Sequence, residues 1–217
     1  MFFILKIKLY ILIIVVFFSF ACKKKTDKII VSGNVYNTIG AEGVNSATAY
    51  LYGQKVSSSS WNTAYTLLGS SAINGGAFSI ELNKENISSY KIEIVKTAFF
   101  KKEKKFTSDN FTDNAYKSTY YIDPKAEVTI IVENTSYFDE NDFLRYTIDN
   151  GLANYEETCG EMNEFYAQTV TDTTHCFVIG DQEIVISTLS AKNNVTTIGE
   201  VKKYCASGEN TEILIQY

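Results

Sequence analysis

Short alternating runs of apolar residues, broken by turn-forming residues about every ten positions, constrain this chain more than any other feature. The first clear run, residues 29–37, alternates apolar and polar side chains, as expected of a strand with one buried face. Further on, no long stretch places apolar residues at a helical spacing, so we expect helices to be minor. Tyr and Phe, 15 and 14 in number, also favour strands. The pattern predicts an all-β protein.

The predicted strands divide into two series. They cover residues 29–37, 47–53, 64–71, 77–82, 90–96, 117–122, 126–134, 142–149, 164–170, 176–180, 183–189, 200–205 and 211–217. The only proline of the chain, Pro124, stands between the sixth and seventh runs and indicates a seam. We therefore expect antiparallel β-sandwich architecture, with one domain over residues 29–123 and a second β-rich domain over 124–217. A single extended sandwich is the alternative.

The first residues read as a targeting segment. Lys6 and Lys8 precede an uncharged apolar run over residues 9–21, which is shorter than the roughly 20 residues that span a bilayer. Residues 1–21 are therefore predicted to be a signal peptide, and an uncleaved membrane anchor is the alternative. The polar stretch over residues 22–28 would form a tether to the fold.

Cys22 decides the type of signal. It follows the small residue Ala21 and precedes a polar segment, which resembles the lipobox of bacterial lipoproteins, particularly the Bacteroidetes type. The resemblance implies acylation of the Cys22 thiol, palmitate included, and anchoring in the outer membrane. Ser19 and Phe20 depart from the family pattern, so a plain secretory signal with an incidental Cys22 stays open. Lysines at 23–25 leave open whether the protein faces the periplasm or the cell surface.

A second resemblance concerns the first strand series. Gly33-Asn34-Val35, Gly43-Val44, the small and aliphatic residues of 47–51, GAFSIEL at 76–82 and YKIEIVK at 90–96 resemble the carboxypeptidase-regulatory-like, transthyretin-like β-sandwich. The similarity covers roughly residues 29–106. It departs from the family where no proline follows Val44 and where Ala98-Phe99 replaces the usual Gly-Tyr. The resemblance implies an adhesive, spacer or accessory role without an active site.

Catalytic and metal sites find little support. The single histidine, His175, neighbours Cys176, but consecutive side chains on a strand point to opposite faces, so the two are badly placed to react together. The acidic stretch 139–142 lacks the spacing of a calcium-binding loop and is interpreted as a solvated turn. We predict no enzyme activity, no metal and no cofactor.

Three cysteines remain once Cys22 is assigned to lipid. Outside the cytoplasm two of Cys159, Cys176 and Cys205 are expected to form a disulfide, and the sequence does not choose among the three pairings. No two cysteines have the spacing of a redox or zinc motif.

The remaining candidates are surfaces. Trp61 and Tyr65, beside the serine run 57–60, are the best candidates for an exposed aromatic platform that binds sugar rings. The lysine-rich run 101–105 is interpreted as an edge strand whose charges prevent aggregation. Without Lys6 and Lys8, 18 basic residues stand against 25 acidic ones, which argues against nucleic acid as a partner.

These observations favour a non-catalytic envelope lipoprotein that serves as a structural, adhesive or complex-forming module. The alternative is a carbohydrate-binding accessory lipoprotein that uses exposed aromatic residues. The expected partners are the membrane, through the lipid, and either an envelope protein or a glycan.

Overall fold

The computed structural model describes residues 28–57, 60–61, 64–166 and 171–217, and these residues form strands almost throughout. The strands are β1 (Lys28–Asn37), β2 (Ala47–Ser57), β3 (Ser60–Trp61), β4 (Thr66–Ile73), β5 (Ala77–Asn83), β6 (Ile87–Val95), β7 (Lys102–Phe106), β8 (Ala115–Ile122), β9 (Lys125–Glu133), β10 (Phe143–Ile148), β11 (Met162–Tyr166), β12 (Thr171–Ile179), β13 (Gln182–Lys192), β14 (Val195–Cys205) and β15 (Asn210–Gln216). One turn of 3-10 helix, Ser108–Asn110, is the only helical element of these ranges. The predicted all-β class is confirmed.

Strands β1 to β8 enclose a first hydrophobic core. They form two sheets, with the orders β5-β1-β8 and β3-β2-β6-β7, and β4 pairs with β2. Residues alternate between buried and accessible along β1, as the sequence pattern predicts. Val31, Leu51 and Ile92 are fully buried and bring the inner faces of both sheets into one core.

Strands β9 to β15 enclose a second core of the same kind. Their sheets have the orders β11-β10-β13-β14 and β12-β9-β15. Val128, Tyr146 and Ile186 are fully buried and lie in one cluster. The buried residues of the first core run from Ile29 to Ile122 and those of the second from Ala126 to Ile215. Independent folding of 29–123 and 124–217 stays a prediction.

The two halves place their first strand in the same way. In each half the first strand lies between an antiparallel neighbour, β5 or β12, and the last strand of that half, β8 or β15. That last strand runs parallel to the first, with Val31 beside Tyr116 and Ile130 beside Ile213. Each predicted antiparallel sandwich therefore also contains one parallel pairing, because each half returns its last strand beside its first.

Strands on exposed edges are harder to predict. The short strand β7 lies at the end of its sheet, in agreement with the interpretation of the lysine-rich run 101–105 as an edge strand, although its four charged residues hide any alternation. Strand β14 begins at Val195 instead of residue 200, and its first four residues are exposed. Edge strands bury little, so their sequences carry a weak apolar signal. Within the described residues, no helix has the length and apolar character needed to cross a membrane.

Candidate functional site: a tyrosine–lysine face and the junction between two cores

The structure describes some of the predicted site residues and leaves others outside. Cys22 lies outside the described residues, and its lipidation stays a prediction. Trp61 was predicted on a serine-rich loop, but its backbone forms the two-residue strand β3, where Trp61 pairs with Val56. The described side chains do not include that of Trp61.

Tyr65 lies on the outward face of the β4-β2-β6-β7 sheet, next to two lysines. Its hydroxyl is 2.9 Å from the Ser89 Oγ atom, which fixes the ring against β6. The Lys91 Nζ atom is 5.4 Å from the centre of the Tyr65 ring, and the Lys105 Nζ atom is 5.7 Å away. Lys91 also lies 4.9 Å from the centre of the Tyr52 ring. We call Tyr52, Tyr65, Lys91 and Lys105 the tyrosine–lysine face.

Register explains why these residues meet. Tyr52 on β2 stands opposite Lys91 on β6, and Lys91 stands opposite Lys105 on β7. Directly opposed residues share a face of the sheet, so the three side chains form one row across it. The sequence places them 14 to 53 positions apart, which is why reasoning along the chain did not bring Lys91 and Lys105 to the tyrosines.

Carboxylates balance the lysines beside this face. Lys91 pairs with Glu93, and their side chains are only 16% and 12% exposed. The hydrogen bond from Lys91 to Glu93 raises the pKa of Lys91 above its usual range, against the opposing effect of burial. Lys101 lies 2.6 Å from Glu103, and its hydrogen bond lowers the pKa of the Glu103 carboxyl. The face therefore combines the Lys91–Glu93 pair with two partly exposed tyrosines.

A junction between the two cores is the feature that sequence reasoning missed. Phe100, which is 1% exposed, stacks on Tyr155, with ring centres 4.3 Å apart and planes within 2° of parallel. The Tyr155 hydroxyl donates a hydrogen bond of 2.8 Å to Asp123, whose other oxygen accepts one of 2.7 Å from Thr38. Burial, followed by the hydrogen bond to Asp123, raises the pKa of Tyr155. Tyr155 belongs to the second half of the chain and Phe100 to the first.

Backbone hydrogen bonds tie the same junction. The Phe100 N–H donates to the Asp123 carbonyl at 2.9 Å, and the Lys125 N–H donates to the Ala98 carbonyl at 2.8 Å. The Lys125 side chain lies 3.3 Å from Glu157 and 4.5 Å from the centre of the Phe177 ring. Beside these contacts lies an open cleft of about 570 Å³, lined by Lys101, Lys102, Glu103, Asn154, Tyr155, Glu156 and Glu157.

The disulfide holds the loop that carries Tyr155. Cys159 is bonded to Cys176 on β12, which settles the pairing that the sequence left open. Cys205 is a buried free thiol, and burial raises its pKa, so it is poorly suited to reaction at neutral pH. The loop after β10 is thereby fixed to the second sandwich close to its contact with Phe100.

The histidine and the acidic turn take structural roles. His175 is exposed on β12, and its Nδ1 atom is 3.0 Å from the Thr129 hydroxyl, while the neighbouring Cys176 is in the disulfide. Asp142 is fully buried, which corrects the interpretation of this turn as solvated. Its carboxylate accepts hydrogen bonds from the Phe138 N–H at 2.9 Å and from Asn134 at 3.2 Å. Among the described residues, no three His, Cys, Asp or Glu side chains gather as metal ligands would.

Comparison with known proteins does not identify a family for this chain. No protein-family model matches this chain, and no curated protein matches it. The resemblance to carboxypeptidase-regulatory-like domains therefore stays a prediction.

Among solved structures, similar chains include bacterial pilins. The shaft pilin SpaA from Lactobacillus rhamnosus GG has 8% identity and a TM-score of 0.36, over 88% of this chain and 98% of that one. The minor pilin GBS52 from Streptococcus agalactiae has 10% identity and a TM-score of 0.32, over 87% and 94%. The Bacillus anthracis TIE protein has 9% identity and a TM-score of 0.36, over 87% and 34%. Overlaps of this quality carry no argument about what this chain does.

Proposed function

We propose that this chain is a non-catalytic structural module of a bacterial envelope, anchored through lipid on Cys22. The junction of Phe100, Tyr155 and Asp123 is the observation that carries the structural part of the proposal. A stacked ring pair, a side-chain hydrogen bond and the backbone hydrogen bond from Lys125 to Ala98 link the two halves there. Two cores coupled in this way would move as one body. The tether at one end of the chain would then also fix where the surfaces of the second half lie.

The reactive side chains of the described residues have structural contacts, which is consistent with this role. The sole histidine contacts a threonine, and two of the cysteines are consumed in a disulfide. The buried carboxylate of Asp142 is held by a backbone N–H and an amide, as expected of a group that fixes a turn. We therefore propose no enzymatic activity for this chain.

Membrane anchoring is tested by changing Cys22 to Ser. Several acyl chains on this cysteine would hold the protein in the membrane fraction, because each methylene buried in the bilayer contributes about 0.8 kcal/mol. We expect the native chain to incorporate labelled palmitate and to sediment with membranes, whereas Cys22→Ser loses both. Cys205→Ser is the matched control and should keep both, because Cys205 is buried in the second core. Unchanged partition of Cys22→Ser would refute the anchor.

A carbohydrate-binding role is the second candidate, and the tyrosine–lysine face favours it. Tyr65 and Tyr52 flank Lys91 on an accessible sheet face, where ring edges, hydroxyls and an ammonium group can meet a sugar. Binding on a glycan array should be lost with Tyr65→Ala and with Trp61→Ala. The control is Tyr121→Ala, which should bind normally. Tyr121 is 53% exposed and lies on the other sheet, β5-β1-β8. Absence of binding to every glycan would remove this candidate.

A further inference from the structure

Strand β14 is an open edge of the second half. It is the terminal strand of the sheet β11-β10-β13-β14 and pairs with β13 along its whole length of 11 residues. Among the described residues, no strand pairs with its other side. A long exposed edge of this kind is a ready template for another strand.

The hydrogen bonds of the neighbouring strand show which backbone groups of β14 point outward. The Val185 N–H donates to the Asn150 side chain, and the Val185 carbonyl accepts from the Asp149 N–H, so the backbone groups of Val185 face away from β14. Backbone direction alternates along a strand, so Ile186 faces β14 and bonds to its partner Val201.

The same alternation fixes the rest of β14. Its odd-numbered residues turn their backbone groups toward β13, and the carbonyl of Cys205 accordingly accepts from the Asp181 N–H at 2.7 Å. The even-numbered residues therefore present their N–H and C=O groups at the open edge. These residues are Thr196, Ile198, Glu200, Lys202 and Tyr204.

The side chains of these outward residues are also accessible. Ile198 is 80% exposed and Tyr204 is 62% exposed. Between them, the Lys202 Nζ atom lies 3.0 Å from Glu200, and both side chains are about half exposed. The edge thus carries two apolar side chains around a pair of opposite charges.

We propose that β14 pairs antiparallel with β14 of a second copy of this chain, about a two-fold axis at Val201. In this register Glu200 stands opposite Lys202 of the other copy, and Ile198 stands opposite its Tyr204. The symmetry repeats both pairs, so the interface contains two charge pairs and two apolar pairs. Residues with outward backbone groups oppose each other throughout, as an antiparallel ladder requires.

Other registers are less favourable. An axis at Glu200 opposes two glutamates, and an axis at Lys202 opposes two lysines. An axis at Gly199 places Ile198 against Glu200 and leaves Lys202 without an acidic partner across the edge. Charges on an edge strand commonly prevent pairing, but here their order makes the strand complementary to itself. This inference goes beyond the proposed anchor and does not depend on lipidation of Cys22.

Charge reversal tests the proposal with two differently tagged copies of the full chain expressed together. Native copies should co-purify after detergent extraction. Glu200→Lys with itself, or Lys202→Glu with itself, places like charges opposite each other, and we expect at least a tenfold loss of co-purification. A Glu200→Lys copy paired with a Lys202→Glu copy restores both charge pairs and should co-purify like the native chains.

The control is Lys203→Glu, because Lys203 directs its backbone to β13 and is outside the even-numbered row. It should co-purify like the native chain, and far-ultraviolet circular dichroism should show that each variant keeps its strands. Failure of native copies to co-purify would overturn the proposal and leave the charges as protection of the edge. Co-purification that is equal in all combinations would also overturn it.

Discussion

Gly33 shows how closely two elements approach at a single residue. A Cβ atom there would lie 2.5 Å from the Ser118 carbonyl oxygen and within 2.9 Å of the Tyr120 and Phe78 rings. Those groups are backbone and buried aromatic rings, so they have little room to move. The small residue that the sequence places in the first strand is required by packing against β8 and β5.

We predict that Gly33→Ala lowers the free energy of unfolding by roughly 1–3 kcal/mol, because overpacking forces the strands apart. Urea denaturation measures it. Gly40→Ala is the control, since its nearest new contact would be the flexible Glu42 side chain at 3.7 Å. Equal stability of the two variants would contradict the packing argument.

Asp142 makes the stability of the fold depend on pH in the acidic range. Burial alone would raise its pKa, but hydrogen bonds from the Phe138 N–H and from Asn134 outweigh this effect and lower it. A carboxyl whose pKa is lower in the folded state than in the unfolded chain stabilises the fold above its unfolded value of about 4. That contribution is lost as the pH falls through the lower, folded value.

We therefore predict that Asp142→Asn reduces the loss of stability on acidification below about pH 4. Thermal unfolding at several pH values measures the slope. Glu140→Gln, on the exposed part of the same turn, should leave the slope as in the native chain. An unchanged slope in Asp142→Asn would show that this carboxyl does not contribute.

At the scale of strands, a buried face gives the clearest signal in the sequence. Strand β1 alternates visibly, β7 is indicated only by its run of charges, and the exposed first residues of β14 are missed. Tyr120 and Tyr121 follow the rule that neighbours on a strand face opposite sides, because one is 2% and the other 53% exposed.

Partners distant in sequence could not be predicted. The parallel pairing of β1 with β8 joins residues about 85 positions apart, and the sequence of neither strand indicates which strand it pairs with. The stacking of Phe100 on Tyr155 and the row from Tyr52 to Lys105 depend on the same long-range register. The cysteine pairing likewise required the positions of three separate elements.

The disulfide is expected to stabilise the second half. It closes a loop with a sequence separation of 17, and loops of about this length correspond to roughly 2–4 kcal/mol. Replacing both Cys159 and Cys176 with Ala should lower the free energy of unfolding by that amount and abolish its sensitivity to reductant. Cys205→Ala should remain sensitive to reductant, because Cys205 is outside the bond. Sensitivity that persists in the double variant would contradict the assignment.

At the scale of the whole molecule, two cores with the same strand arrangement are coupled at one junction. The first core ends at Ile122 and the second begins at Ala126, and the residues between them join the contacts of Phe100 and Tyr155. In a structural module, a force on one half must reach the other half, and this junction is where the force would pass.

Nuclear magnetic relaxation of backbone nitrogens, on the chain from residue 23 onward, tests this coupling most directly. We predict the same rotational correlation time for residues 28–122 and 125–217 in the native chain. Tyr155→Ala should give two different times, because it removes both the stacking and the hydrogen bond, whereas Tyr155→Phe keeps the stacking and should stay close to native. Two different times in the native chain would contradict the central claim that the cores act as one body.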